Sequence, residues 1–227
     1  MKTLFTSVQT MLLVLFCVVS TWAGRPKTSW QTGRLSFWDN TILEGELSYN
    51  WSAETVLLRQ TDGRVRAYSA SQIRQFGWFD YEQAKQRTFV SLANPTGPER
   101  FNQTFFEIYM DGSLKVVRRL KRTRGIAKWI LTNPAYYTDE KTLTQNPDQF
   151  NYYVYEAGNF LNVDRFYSDI YQPLLTLYDQ ELQTYVRNHN INARTLLGRL
   201  VLIDHFNFLS QQEARTASAR PPGNAPH

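Results

Sequence analysis

The chain holds a single cysteine, Cys17, among 227 residues. It therefore has no disulfide framework and no thiolate metal site, and its stability rests on an ordinary core. Histidine is almost as scarce, with only His189, His205 and His227, and no H-E-x-x-H motif or carboxylate cluster accompanies them, so no metal or other cofactor is expected. No G-x-S-x-G elbow is present. Asp204 precedes His205 on a helical stretch where adjacent side chains diverge, which argues against a catalytic histidine. Beyond the first two dozen residues no apolar run reaches membrane-spanning length, and the net charge of +5 is too mild to imply an acidic partner by itself.

What is present begins with MKTLFTSVQTMLLVLFCVVSTWAG. Lys2 gives a positive start, Met11 to Val19 is unbroken apolar sequence, and Thr21-Trp22-Ala23 places small residues where signal peptidase reads them. Cleavage after Ala23 would leave a mature chain starting at Gly24. The apolar run spans only about 14 Å as a helix against about 30 Å of hydrocarbon, so a leader is expected rather than an anchor. Cys17 departs with it, and bulky Phe16 before it does not suit a lipoprotein site, leaving a cysteine-free mature chain. That composition suits a bacterial envelope protein, periplasmic, at the cell surface or secreted. Asn50-Trp51-Ser52 and Asn102-Gln103-Thr104 match the glycosylation sequon, which matters only in a eukaryotic secretory pathway.

Aromatic residues are abundant, with thirteen Tyr, fourteen Phe and six Trp, and favour pleated, half-buried surfaces over a helical bundle. Residues 35 to 122 read as a β meander punctuated by Asp39-Asn40, Asp62-Gly63 and Asp111-Gly112. In TILEGELSY, Leu43, Leu47 and Tyr49 share one face and Glu44, Glu46 and Ser48 the other. In TFFEIYMDG, Phe106, Ile108 and Met110 oppose Phe105, Glu107 and Tyr109. Strands are expected at about 34–38, 41–49, 54–60, 64–69, 75–81, 86–92, 103–110 and 113–121, with a loop at Asn94 to Pro98. A long polar connection at 132–148 precedes a final hairpin that turns at Ala157-Gly158.

The period then changes from two to about 3.6. Val163, Phe166, Tyr167, Ile170, Leu174 and Leu177 form a stripe that Pro173 should kink or split. Asp179 is placed to cap a second helix, with Leu182, Tyr185 and Val186, and Asn192 a third, with Leu196, Leu197, Leu200, Ile203 and Phe206. The tail from Gln211 lacks apolar periodicity and is expected to be disordered.

Two stretches resemble a group of uncharacterised exported proteins of Bacteroidota-type bacteria. One comprises TILEGELSYN and VLLRQTDGRVRAYSASQIRQFGWFD, similar to that group's β-rich N-terminal module; the other is FYSDIYQPLLTLYDQELQTYVRNHNINARTLLGRLVLIDHFN, similar to its helical close. The resemblance implies an envelope location and a β-then-α organisation, and it implies no reaction.

Three groups of residues are candidates for chemistry. Glu44 and Glu46 lie about 6.6 Å apart on one strand face, within the range of glycosidase carboxylate pairs, but their alternation with Leu43 and Leu47 marks a solvated strand face, and glycosidase pairs usually flank a cleft from different elements. Lys115, Arg118, Arg119, Lys121, Arg122, Arg124 and Lys128 form a basic run with no acid among them. They suit an acidic protein or an anionic envelope component rather than nucleic acid, or else a solvated edge strand protected by its charges. Within that run Arg119 and Lys121 share one face and Arg118 and Arg122 the other. Among the aromatics, Trp78, Phe79 and Tyr81 or Tyr152, Tyr153 and Tyr155 could stack on sugars or peptides. Tyr136 and Tyr137, in the long polar loop, are the best candidates for an exposed pair.

The sequence thus predicts an α+β protein: an antiparallel β meander, a partly open barrel or sandwich, followed by a small three-helix C-terminal segment. The expected parts are a leader at 1–23, a lead-in at 24–33, a β-rich domain at 34–163, a helical segment packed on it at 164–209 and a tail at 210–227. The expected role is non-enzymatic binding or assembly in the envelope. A hydrolase of envelope glycans or peptides, or a small-ligand or lipid carrier, is the alternative.

Overall fold

The computed structural model describes residues 29–51, 53–93, 103–121 and 144–219. The leader, the Asn94 to Pro98 loop, the connection as far as residue 143 and the last residues of the tail lie outside them. Ten antiparallel strands form one open sheet. They are β1 (Gln31–Phe37), β2 (Ile42–Asn50), β3 (Thr55–Arg59), β4 (Val65–Ser69), β5 (Ile73–Asp80), β6 (Lys85–Ala93), β7 (Gln103–Met110), β8 (Lys115–Leu120), β9 (Phe150–Glu156) and β10 (Asn159–Asn162). Their spatial order is β10-β9-β8-β7-β6-β5-β1-β2-β3-β4, so β4 and β10 are the edges and β5 returns to pair with β1. The turn signals work as their chemistry suggests: Asn40 and Gly63 take left-handed φ of 68° and 78°, which Asn and Gly tolerate.

The strand order forces the sheet to fold over. In a flat sheet the end of β4 would lie four strand spacings, about 19 Å, from β5. Only Ala70, Ser71 and Gln72 join Ser69 to Ile73, a reach of about 14 Å at most. The sheet must therefore bend, bringing the β1–β4 half toward the β5–β10 half. Contacts between the halves agree with this. Tyr49 meets Phe105 with ring centroids 5.8 Å apart, Trp51 meets Phe150 at 5.3 Å, and the Ser91 hydroxyl donates to the Ala70 carbonyl.

Glycine permits close approach between the paired strands. Gly33 on β1 runs so close to β5 that a Cβ there would stand 2.4 Å from the Gly77 carbonyl oxygen. A Cβ on Gly77 would stand 2.4 Å from that of Arg87. No real side chain tolerates such approach to backbone, so both strands need glycine at these positions.

Between the halves lies an aromatic core. Phe76 and Phe89 stack at 4.6 Å, Tyr49, Trp78 and Phe105 gather round them, and Leu35, Leu47, Val56 and Leu58 complete the layer with no exposed surface. A smaller cluster of Phe106, Val117 and Tyr153, with Phe160 against it, lies on the opposite face of the β6–β10 half.

The C-terminal segment joins the main core through Val163, Phe166, Ile170, Leu175, Leu182, Leu200, Ile203 and Phe206. It contains two α-helices, α1 (Asp179–His189) and α2 (Leu196–Ala219), where three helices were expected. The first apolar stripe is instead a wide π-type helix over Phe166–Leu175, flanked by 3-10 turns. Pro173 lies inside it. Proline donates no hydrogen bond and crowds the carbonyl four residues back, which ordinary α-geometry accommodates poorly.

The caps also differ from expectation. Asp179 begins α1, and its carboxylate accepts from the Tyr171 hydroxyl at 2.6 Å. Thr195 caps α2, its hydroxyl accepting from the Gly198 N–H at 3.1 Å, while Asn192 forms the turn before it. Beyond Gln211, where disorder was expected, α2 continues to Ala219. Gln, Glu, Ala and Arg sustain a helix by propensity without an apolar face. The Asn207 side chain fastens α2 to the β7–β8 connection. Its Oδ1 accepts from the Leu114 N–H at 2.7 Å and its amide donates to the Leu114 carbonyl at 2.9 Å.

Candidate functional site

Among the described residues of the basic run, Arg118 and Arg119 point to opposite faces of β8 and each is engaged by a glutamate. β8 pairs with β7 on one side and β9 on the other, so it is an interior strand and the solvated-edge reading is corrected. Arg118 points into the core, 6% exposed. Its Nε donates to Glu107 Oε2 at 2.6 Å, while Arg87 Nε from β6 donates to Glu107 Oε1 at 2.8 Å. The register makes this meeting inevitable, since Glu107 faces Phe89 on one side and Arg118 on the other. Both guanidinium groups lie against aromatic faces, Arg118 at 4.2 Å from Phe150 and Arg87 at 5.2 Å from Trp78.

Burial pushes the Glu107 carboxyl up, but Arg87 and Arg118 overcome it and hold the group below the usual carboxylate value. Burial likewise pulls down the half-buried Lys85 ammonium beside them, against the attraction of Glu107. A carboxylate gripped by two arginines is poorly suited to take up or give a proton, so this cluster serves as a structural tie.

Arg119 points to the opposite face and is also engaged. Its Nε and Nη2 donate to Glu54 Oε1 at 2.8 and 2.6 Å, and Thr104 donates to Glu54 Oε2 at 2.7 Å. Lys115 pairs with Asp111 at 3.2 Å, and Lys121 is exposed. Arg122, Arg124, Lys128, Tyr136 and Tyr137 lie outside the described residues. The glutamate pair is divided as well. Glu46 Oε2 accepts from Arg59 Nε at 2.6 Å, which leaves Glu44 without it as a second carboxylate. His205 stacks on Tyr185 with centroids 3.7 Å apart, and burial, then nearby His189, lowers its pKa.

A different surface remains. On the face of β1, β2, β5 and β6 turned away from the aromatic core, a groove of about 380 Å³ crosses the strands. Its floor includes the backbone at Gly77, which sits opposite Arg34 on β1 and Thr88 on β6. Thr32, Arg34 and Ser36 form the β1 wall, Glu44 faces Arg34 from β2, and Gln75 faces Ser36 from β5. Phe79, opposite Gln86, closes one end with its ring 41% exposed. Tyr81 beyond it is 79% exposed and meets Phe79 edge-on at 5.0 Å. Arg34 and Glu44 make no ion pair with each other or with another described residue.

Of these residues sequence reasoning singled out Glu44, Phe79 and Tyr81. It missed Arg34, Gln75, Gln86 and the hydroxyls, because a polar residue on an alternating strand looks like any wet face. The available signal was Gly77, a glycine inside the apolar strand IRQFGWFD, a pattern that marks close backbone approach. Compared with family models, curated proteins and solved structures, the chain matches none.

Proposed function

We propose that this is an exported, non-enzymatic binding module whose ligand lies in the groove across β1, β2, β5 and β6. The observation that carries the reading is the groove itself: a concave surface of about 380 Å³ on the sheet, lined by polar side chains around the backbone of Gly77. The hydrolase reading lacks support from the glutamate pair, because Arg59 engages Glu46. A lipid carrier needs an apolar cavity, and stacked rings occupy the space between the sheet halves. Export rests on the leader read from residues 1–23 and on the resemblance to envelope proteins.

The test is a paired capture. Mature chain from Gly24 and its Phe79→Ala variant are immobilised side by side, exposed to envelope extract, and the retained molecules identified by mass spectrometry. The reading expects a species held by wild type and lost by the variant. Identical retention by both would overturn it. N-terminal sequencing after expression in a bacterial host tests export, which requires the chain to begin at Gly24 in the envelope fraction.

A further inference from the structure

Resting on the binding reading above, we infer that the groove takes a neutral oligosaccharide. Charge gives the first argument. One cation, Arg34, faces one anion, Glu44, across adjacent strands, so the lining has no net charge and does not select a strongly charged ligand.

The second argument is the kind of polarity. The carboxamides of Gln75 and Gln86 and the hydroxyls of Thr32 and Thr88 offer donors and acceptors together, as the hydroxyl array of a sugar requires. Phe79, with Tyr81 edge-on behind it, supplies an exposed ring for the apolar face of a pyranose. From β2 to β6 the groove crosses three strand spacings, about 14 Å, enough for a short glycan.

The third argument separates a sugar from a peptide. Peptides gain much of their affinity for sheets by adding a strand at an edge. The groove instead crosses the middle of the sheet, where β1 pairs with β2 and β5, and β5 pairs with β1 and β6. Their backbone donors and acceptors are committed to those ladders, so recognition falls to side chains, and a ligand rich in hydroxyls uses them best.

Amide chemical-shift mapping on the mature protein tests this with two sets of probes. The first set is maltohexaose, cellohexaose, xylohexaose and chitohexaose; the second is pooled uncharged hexapeptides. The expected result is that at least one glycan shifts Gly77, Trp78 and Thr88, with affinity reduced about tenfold by Phe79→Ala and by Gln75→Ala. Lys121→Ala, on an exposed residue outside the lining, should leave binding unchanged, and equal melting temperatures would show that the variants fold. Shifts at these residues from peptides alone would overturn the sugar assignment and leave the groove as a binding site. Silence from both sets would overturn the groove reading too.

Discussion

Replacing Glu107 with Gln keeps the shape of the buried tie and removes its charge. Arg87 and Arg118, 3% and 6% exposed, would then lose the carboxylate at 2.8 and 2.6 Å, leaving Arg87 with Asp80 at 4.0 Å. Breaking one partner out of a buried ion pair costs about 3–5 kcal/mol. Domains of this size are stable by only about 5–15 kcal/mol. Urea unfolding at pH 7, followed by tryptophan fluorescence, reads the loss directly because Arg87 lies over Trp51 and Trp78. The midpoint should fall with an unchanged slope.

A pH series adds an independent signature. The Glu107 pKa is lower in the folded chain than its ordinary value of 4.5. Its contribution is therefore fully present above that value and is lost as pH falls through the lower, folded pKa. The Gln variant should lack this share of the acid dependence. The combined variant Arg87→Met, Glu107→Leu, Arg118→Met should recover most of the stability, since apolar packing commonly replaces a buried ion network without loss. The reasoning is refuted if Glu107→Gln stays within about 1 kcal/mol of wild type, or if the triple variant is less stable than the single.

Three further outcomes are expected. Gly77→Ala should lower stability by about 1–3 kcal/mol in thermal melts, because the new methyl meets the Arg87 backbone carbonyl rather than a movable side chain. Asn207→Ala should cost about 1–3 kcal/mol by leaving the Leu114 N–H and carbonyl without the amide, and hydrogen exchange should speed up in α2 before the sheet. Tyr171 should titrate late in ultraviolet absorbance: burial, then its hydrogen bond to Asp179, pushes its hydroxyl up to about 12. Because that value is raised, its contribution to stability is present below the ordinary value of 10.0 and fades as pH climbs toward about 12, and Asp179→Asn should narrow that window.

Much of the β architecture was legible because strands such as β3 and β6 alternate fully buried with more exposed residues, and period two is a strong signal. Phe105, Glu107 and Tyr109 could be assigned to one face without any knowledge of their partners. The meaning of that assignment was not legible. Nothing beside Glu107 in the sequence marks it as paired; the register brings Arg87 and Arg118 to it, and those partners come from two other strands. The partners of the two arginines were hidden for the same reason: the counter-charges of Arg118 and Arg119 are Glu107 and Glu54, one a strand earlier and the other far back in the β2–β3 turn. Pro173 was seen as a disruption, but whether a helix breaks or widens at proline depends on the packing of Phe166, Ile170 and Leu175 around it. The groove arises where glycine lets strands approach, and no side-chain pattern encodes its depth.

The position of β1 between β2 and β5 also sets an order of events for the folding chain. β2, β3 and β4 each pair with a sequence neighbour and close short loops. β5 meets β1 only across the whole intervening meander, a non-local closure of the sort that slows folding. Until that seam forms, the chain is two meanders, β1–β4 and β5–β10, tethered by Ala70, Ser71 and Gln72. The groove spans that seam, so the binding surface is expected to come into being with this long-range pairing rather than with any hairpin.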